Sequence, residues 1–381
     1  MSKLIQLFKK YHQKLYQGSS YFQRSIRNSL HQAEIYMKDQ RDESDLDIKQ
    51  LLEPFFISVQ VDCKHFCSVF IEFLAEIYRL VSYQHSMELT FCVFKFFLDI
   101  LKGNNNFTEE ILFSLVKFYQ NFLKQQRIFN LQPELQKIIL KTLILLYDRI
   151  DNNDMQDMIQ KIANEIIQTF FEEYNQHHYY LQFIQENEST KQLVDQLVHN
   201  SIQINSRFEE VIKGGYYKIH VEDICIFNLI YTITKYIEKN RVQTKTIKFI
   251  TNLLTYSLKQ NSDFYQTKIF NILLQNQIHI SVISLCIDSR IQLVQCTANL
   301  IQTLWEEFSS IYVNGINELF VRGLFIALTS PDQETVIRSL NIFQRLSTKP
   351  QIFVDCFVNY DCDDTGHFSN VFQNIISNIS K

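Results

Sequence analysis

The stretch ILFSLVKFYQNFL (residues 111–123) and its neighbour LQKIILKTLILLYDRI (residues 135–150) decide the fold. In the first, Ile111, Leu112, Leu115, Phe118, Tyr119 and Phe122 advance by three and four, which lines them along one face of a helix. The second repeats the spacing. Each face is too apolar to stand in water, so helices of this kind are expected to bury their faces against neighbouring ones.

The same texture extends outward in both directions. From about residue 62, segments of helical period are separated by polar breaks such as GNNN (103–106) and DNND (151–154). Hairpins of this kind bury their faces only against neighbouring hairpins, which is the logic of a solenoid. No strict repeat sequence is visible. The expected fold class is therefore all-α, an α-solenoid of HEAT- or armadillo-like hairpins, inferred from architecture rather than motif. Only seven Gly and four Pro occur, none of the Pro between Pro133 and Pro331, which argues against a turn-dense β protein.

Composition excludes several functions. The net charge of -4 gives no basic field for nucleic acid, so protein partners are expected. The eight cysteines (63, 67, 92, 225, 286, 296, 356 and 362) are scattered through apolar helical segments, which reads as reduced thiols rather than a disulfide framework. The apolar windows at 66–81 and 91–101 are interrupted by Glu72, Glu76 and Arg79, and by Lys95 and Asp99, so no membrane span is expected there. Lys3, Lys9, Lys10 and Lys14 surround Leu4, Leu7, Phe8, Tyr11 and Leu15, a basic amphipathic helix that could rest on an anionic membrane. The favoured reading is the first helix of the fold.

Two stretches interrupt the array: the charged run DQRDESDLDIK (39–49), and residues 185–218, from QENESTKQ through KGGYYK. Gly214 and Gly215 lack the spacing of a phosphate loop and follow no strand. After this break, HVEDICIFNLIYTITKYIEKN opens a second helical series that continues through TIKFITNLLTYSL, SRIQLVQCTANLIQTLWEEF and GINELFVRGLFIAL. In SPDQETVIRSLNIFQRL, Ser330 and Gln333 fit a capping box with Pro331 at the first helical position, and Pro350 opens a short helix carrying Phe353 and Phe357. The expected division is a helical N-terminus over 1–60, a helical domain over 61–185, a linker over 186–218 and a second domain over 219–381.

Most candidate sites fail on spacing. Cys63, His65 and Cys67 have no second pair at zinc-finger distance, and adjacent His177 and His178 cannot converge on one ion. No nucleophile elbow, kinase signature, Walker sequence or HExxH occurs, so no enzyme, cofactor or metal is expected. The one serious candidate is FVDCFVNYDCDDTGHFSNVF (353–372). Asp361, Asp363, Thr365 and Gly366 occupy positions 1, 3, 5 and 6 of a calcium loop, with Phe368 at position 8, but position 12 is Phe372 instead of a bidentate Glu. A joint between two helices fits better: Asn359 and the acids stop the first helix and cap the second, while Phe368, Phe372, Ile375, Ile376 and Ile379 form its apolar stripe.

The run FVNYDCD, followed by NVF, resembles the box that marks the region of homology upstream of the Sec-seven domain in large Arf guanine-nucleotide exchange factors and their non-catalytic Mon-two relatives. The likeness is contiguous over Phe357, Val358, Asn359, Tyr360, Asp361, Cys362 and Asp363 and resumes at Asn370 and Phe372. VEDICIFNLIYTITKYIE, LWEEF and INELFVRGLF are similar to the helices that precede the box. EEILFSLVKFYQNFL and ELQKIILKTLILLYDRI resemble, by pattern only, the dimerisation and cyclophilin-binding region. The resemblance implies a regulatory and scaffolding module in vesicle traffic that self-associates, binds Arf or Arf-like GTPases and makes peripheral contact with Golgi and trans-Golgi membranes from the cytoplasm. It also implies that the box supports contacts between the two N-terminal domains. Exchange catalysis in that family belongs to a downstream domain, which is expected to be absent from these 381 residues. The competing expectation is a transport adaptor built on the same solenoid and unrelated to Arf exchange.

Overall fold

A computed structural model describes residues 3–18, 24–39, 47–60, 64–78, 83–103, 109–125, 133–181, 221–237, 243–319, 323–324, 326–328, 330–351 and 354. The fold is all-α, with helices stacked on one another in the manner of an α-solenoid, and no strand occurs among the described residues. The chain divides into two compact units, the boundary falling between Ile166 and Ile167.

The first unit holds α1 (Lys3–Gly18), α2 (Arg24–Asp39), α3 (Ile48–Gln60), α4 (Lys64–Ile77), α5 (Tyr83–Lys102), α6 (Glu109–Gln125), α7 (Pro133–Arg149) and the first half of α8 (Asn153–Leu181). The first helices pack on their sequence neighbours, α1 on α2 and α3 on α2 and α4, and α4 returns to α1; beyond them each helix meets its second neighbour, α4 with α6, and α5 with α3 and α7. This two-row stacking is what the three-and-four periodicity of α6 and α7 demands, because each helix finds its apolar partner in an adjacent hairpin. Stacked and edge-on phenylalanines fill the core. Phe55 stacks on Phe73 at 4.3 Å, Phe56 on Phe96 at 4.2 Å, and Phe94 meets Phe122 edge-on at 5.0 Å.

The basic N-terminal segment is a core helix. Leu4, Ile5, Leu7, Phe8, Tyr11 and Leu15 of α1 are buried, and its polar edge is tied to α4 through Lys10 to Glu76 and Lys14 to Glu72, each at 2.9 Å. The charged stretch after α2 ends in a cap: Asp47 Oδ1 accepts from the Gln50 amide at 3.1 Å and starts α3. Residues 40–46 lie outside the described residues. At the end of α7, Arg149 Nη2 donates to the Leu101 carbonyl at 2.7 Å and also reaches the Gly103 carbonyl, closing the end of α5.

The second unit contains the rest of α8, α9 (Val221–Ile237), α10 (Thr244–Leu258), a 3-10 turn (Asp263–Gln266) and α11 (Lys268–Leu273). A π turn (Leu274–Ile278) then leads directly into α12 (His279–Ile287). A further 3-10 turn (Ile291–Leu293) precedes α13 (Val294–Glu318), α14 (Ile326–Leu328) and α15 (Gln333–Leu346). Within this unit α10 packs on α9 and α13, α13 on α12 and α15, and α14 on α15. Phe264, Tyr265, Phe270 and Phe308 form its aromatic centre, joined by Phe171 and Tyr174 of α8.

One detail differs from the sequence reading. The cap of α15 is Asp332 and not Ser330: the Asp332 carboxylate accepts from the Thr335 amide at 3.1 Å and from its hydroxyl, while Ser330 Oγ accepts from the Asp332 amide at 3.2 Å. Pro331 therefore stands before the helix. The carboxylate takes the role because it serves two Thr335 donors at once. The segment beginning at Gly315 is set off from the preceding run by a break in helical backbone at Tyr312, φ -112° and ψ 15°. Its first four residues continue α13 beyond that point.

Candidate interaction surface

All nine residues of the sequence-derived box, Phe357 to Asp363 with Asn370 and Phe372, lie outside the described residues, as does the linker at 186–218. The chain is described up to the approach to that box, where the Val354 amide donates to the Pro350 carbonyl at 3.1 Å. Cys63 also lies outside. Among the described residues no group of three or more His, Cys, Asp or Glu is placed to hold a metal ion.

What the second unit does present is an aliphatic ridge. Ile280 and Ile287, seven residues apart on α12, are 47% and 46% exposed, and Ile291 beyond the helix end is 46% exposed. Seven residues are two turns, so the two α12 side chains lie on one line, with partly exposed Ile283 and exposed Ser284 between them. The 3-10 turn carrying Ile291 packs against α15, where Ile337 is 54% and Leu340 38% exposed. Clustered exposed aliphatics of this kind mark contact surfaces. From Gln275 to Ile287 the only ionisable side chains are His279 and Cys286, and both are buried. The α12 part of the ridge thus carries no charge, and the partly exposed Asp288 and Arg290 between Ile287 and Ile291 are paired with each other.

The helical run Ile269–Ile287 is also long and apolar enough to cross a membrane by length and composition, yet 56% of its most apolar window is buried in the fold, the pattern of a core helix. One face packs inward. The other is the ridge.

Polar contacts hold α12 at both ends. At its C-terminal end, Arg338 of α15 is fully buried, its Nη1 donating to the Cys286 carbonyl at 2.7 Å and its Nη2 to the Leu285 carbonyl. These are the carbonyls a helix leaves unpaired in its last turn, and the partial negative charge there favours a cation. Burial still pulls the Arg338 pKa below its usual value, with the nearby Cys286, Asp288 and Cys296 opposing that shift. Burial also pushes the Cys286 thiol up to about 12, against the attraction of Arg338, so this cysteine is inert. Just beyond, burial would raise the Asp288 carboxyl, but the hydrogen bonds and charge of Arg290, with Nε at 2.9 and 3.1 Å, hold it below its ordinary value.

At the N-terminal end, His279 Nδ1 and the Tyr312 hydroxyl of α13 share a short hydrogen bond, with the rings edge-on at 5.6 Å. Tyr312 sits at the bend in α13, at φ -112° and ψ 15°.

Residues 222–367 match the family model of the HUS domain of Mon2/Sec7/BIG1-like proteins. The HUS match spans less than half of the chain, and no curated protein matches the chain significantly. The HUS segment runs from the start of α9 through α15, so the ridge and both contacts on α12 lie inside it. It also takes in Phe357 to Asp363 of the box and ends before Asn370 and Phe372.

Sequence reasoning missed the ridge because isoleucines on a helix read as core. The signal available was width: Ile280, Ile283 and Ile287 fall on the side of α12 opposite Val282, Leu285 and Cys286, an apolar helix on both faces. Arg338 was also legible. It stands on the stripe of Thr335, Ser339, Ile342 and Leu346, a charge at a core position that needs a partner.

Proposed function

We propose that this chain is a non-catalytic regulatory and scaffold module of an Arf guanine-nucleotide exchange factor, acting in Golgi and endosomal vesicle trafficking. The observation that carries the reading is the HUS match over residues 222–367, a non-catalytic region of Sec7-like proteins. In this reading residues 219–381 form the HUS domain, 61–185 a dimerisation and cyclophilin-binding-like domain, and 186–218 the linker between them, with 1–60 an additional helical N-terminus. The module binds GTP-loaded Arf or Arf-like GTPases, which bring it to the cytoplasmic face of Golgi membranes. The box at Phe357 to Asp363, with Asn370 and Phe372, supports contacts between the two domains.

Self-association uses the aliphatic ridge, and its occupant is a second copy of this chain. In a twofold pairing the same patch serves both copies, residue i meeting j and j meeting i, so a patch without an unpaired charge buries none when it closes on itself. The uncharged α12 face offers Ile280 and Ile287, with Ile291 and Ile337 beside it, as an aliphatic surface for a second copy to cover.

The chain, immobilised and offered Arf-family GTPases, is expected to retain them when loaded with a non-hydrolysable GTP analogue and to release them when loaded with GDP. Equal retention of both forms, or of neither, overturns the exchange-factor reading. Sedimentation velocity tests the ridge separately: the wild-type chain is expected to form dimers that Ile287→Asp disperses. A wild-type monomer, or a dimer indifferent to that substitution, overturns the ridge while leaving the GTPase result to stand or fall alone.

A further inference from the structure

Helix α13 carries an anomaly that neither the HUS match nor the ridge explains. Long side chains on a regular helix lean back toward its N-terminus, but the Tyr312 ring lies forward over Gly315. A Cβ at position 315 would meet three carbons of that ring, none farther than 2.7 Å. Glycine there is the condition for the ring's position. The backbone at Tyr312 has left helical values for the sparsely used bridge region, which swings the hydroxyl across to α12. It meets His279, the first residue after the π turn at Leu274–Ile278.

The π turn matters to this meeting. One extra residue in a helix rotates everything after it by about 100° relative to a regular α register. The turn thus sets the direction in which His279 leaves α12. A register change in one helix and a bend in its neighbour converge on a single hydrogen bond between two side chains that are 6% and 2% exposed. Kinks have identifiable local causes, and π turns are frequent at functional sites.

We infer that His279, Tyr312 and Gly315 form a latch that holds α13 bent, and that the latch governs how α14 and α15 sit on α12. While it is closed, the chain after Tyr312 leads to α14 and to α15, whose Arg338 closes the far end of α12. When it opens, Tyr312 can return to helical angles, α13 straightens, and the segment that follows is redirected. The ridge is built from both sides of this joint, Ile280 and Ile287 on α12, Ile337 and Leu340 on α15. The latch is therefore a conformational device for assembling or splitting that surface. The device stands on the geometry of α12 and α13 and holds whatever partner the ridge receives.

Hydrogen exchange of the full chain tests this with two variants. Tyr312→Phe removes the hydroxyl and keeps the ring, and Gly315→Ala displaces the ring and keeps the hydroxyl. Each is expected to speed exchange of amides 312–318 roughly tenfold, the effect of one buried hydrogen bond, while amides of α9 and α10 change less than twofold. Because both open the same latch, the double variant is expected to exchange no faster there than the faster single one. Unchanged exchange at 312–318 in Tyr312→Phe overturns the latch. So does a uniform rise across α9 to α15, which would mean general loosening, and so does full additivity of the two variants.

Discussion

His12 gives the sharpest prediction. It is buried on α1, its ring against Phe8 and Phe55, and Nε2 lies 3.0 Å from the Leu51 carbonyl. A carbonyl only accepts, so the proton is on Nε2 and Nδ1 is bare, and Nδ1 has no partner among the described residues. Protonating the ring would place a second N–H in an apolar pocket with nothing to receive it. Burial accordingly lowers the His12 pKa to about 4, the Leu51 hydrogen bond opposing only part of the shift.

The unfolded chain takes up this proton below pH ~6.5, the folded chain only near 4, so falling pH favours unfolding across that window. Stability contributed by neutral His12 is full above the unfolded value and is lost as pH drops toward the folded one. Integrating over both titrations gives a loss of about 2 kcal/mol between pH 7 and pH 5, where most carboxylates stay ionised. The assay is urea unfolding of the first unit followed by helical circular dichroism, run on wild type and on His12→Gln at each pH. Other histidines and the carboxylates cancel in the difference. The difference is expected to shrink by about 2 kcal/mol from pH 7 to pH 5, since the neutral amide does not titrate. A difference that stays flat within about 0.5 kcal/mol would refute the reasoning.

Two further substitutions follow from the second unit. Arg338→Lys keeps the charge but reaches one carbonyl where the guanidinium reaches two, so the unit is expected to lose about 2 kcal/mol in chemical unfolding; no loss would show that the carbonyls of Leu285 and Cys286 do not depend on it. Asp332→Ala is expected to lower the melting temperature clearly more than Ser330→Ala, because the carboxylate serves the Thr335 donors; the reverse order would restore Ser330 as the cap.

The architecture was open to reading because it rests on period and breaks. The faces of α6 and α7 predicted their partners in adjacent hairpins, and Asp47 and Asn152 mark helix starts in stretches already read as polar interruptions. What escaped was geometry that side chains build between helices. Nothing in VNGINE shows where the Tyr312 ring lies: the absence of a Cβ at Gly315 lets that ring fold over the helix just past the kink. His12 was similarly hidden: it follows Phe8 by one turn on the apolar stripe, but its tautomer and its bare nitrogen depend on the Leu51 carbonyl, 39 residues away.

Arg149 and Arg338 show how a stack of smooth helices acquires a fixed register. Aliphatic and aromatic faces set register only through shape, and such cores tolerate repacking when volume and pattern are kept. A guanidinium aimed at the last carbonyls of a neighbouring helix does not slide. Arg149 finds Leu101 and Gly103 at the end of α5, and Arg338 finds Leu285 and Cys286 at the end of α12, so each unit uses the same device on unrelated sequence. A shift of one turn along the helix axis, about 5.4 Å, would leave the cation without an acceptor and the carbonyls without a donor. In the HUS segment this matters more than in the first unit: Arg338 pins one end of α12, and the bond between His279 and Tyr312 holds the other. With one end held by a buried guanidinium on two carbonyls and the other by the hydrogen bond between His279 and Tyr312, the latter is the weaker hold, and the end at which α12 can part from α13 is its first residue.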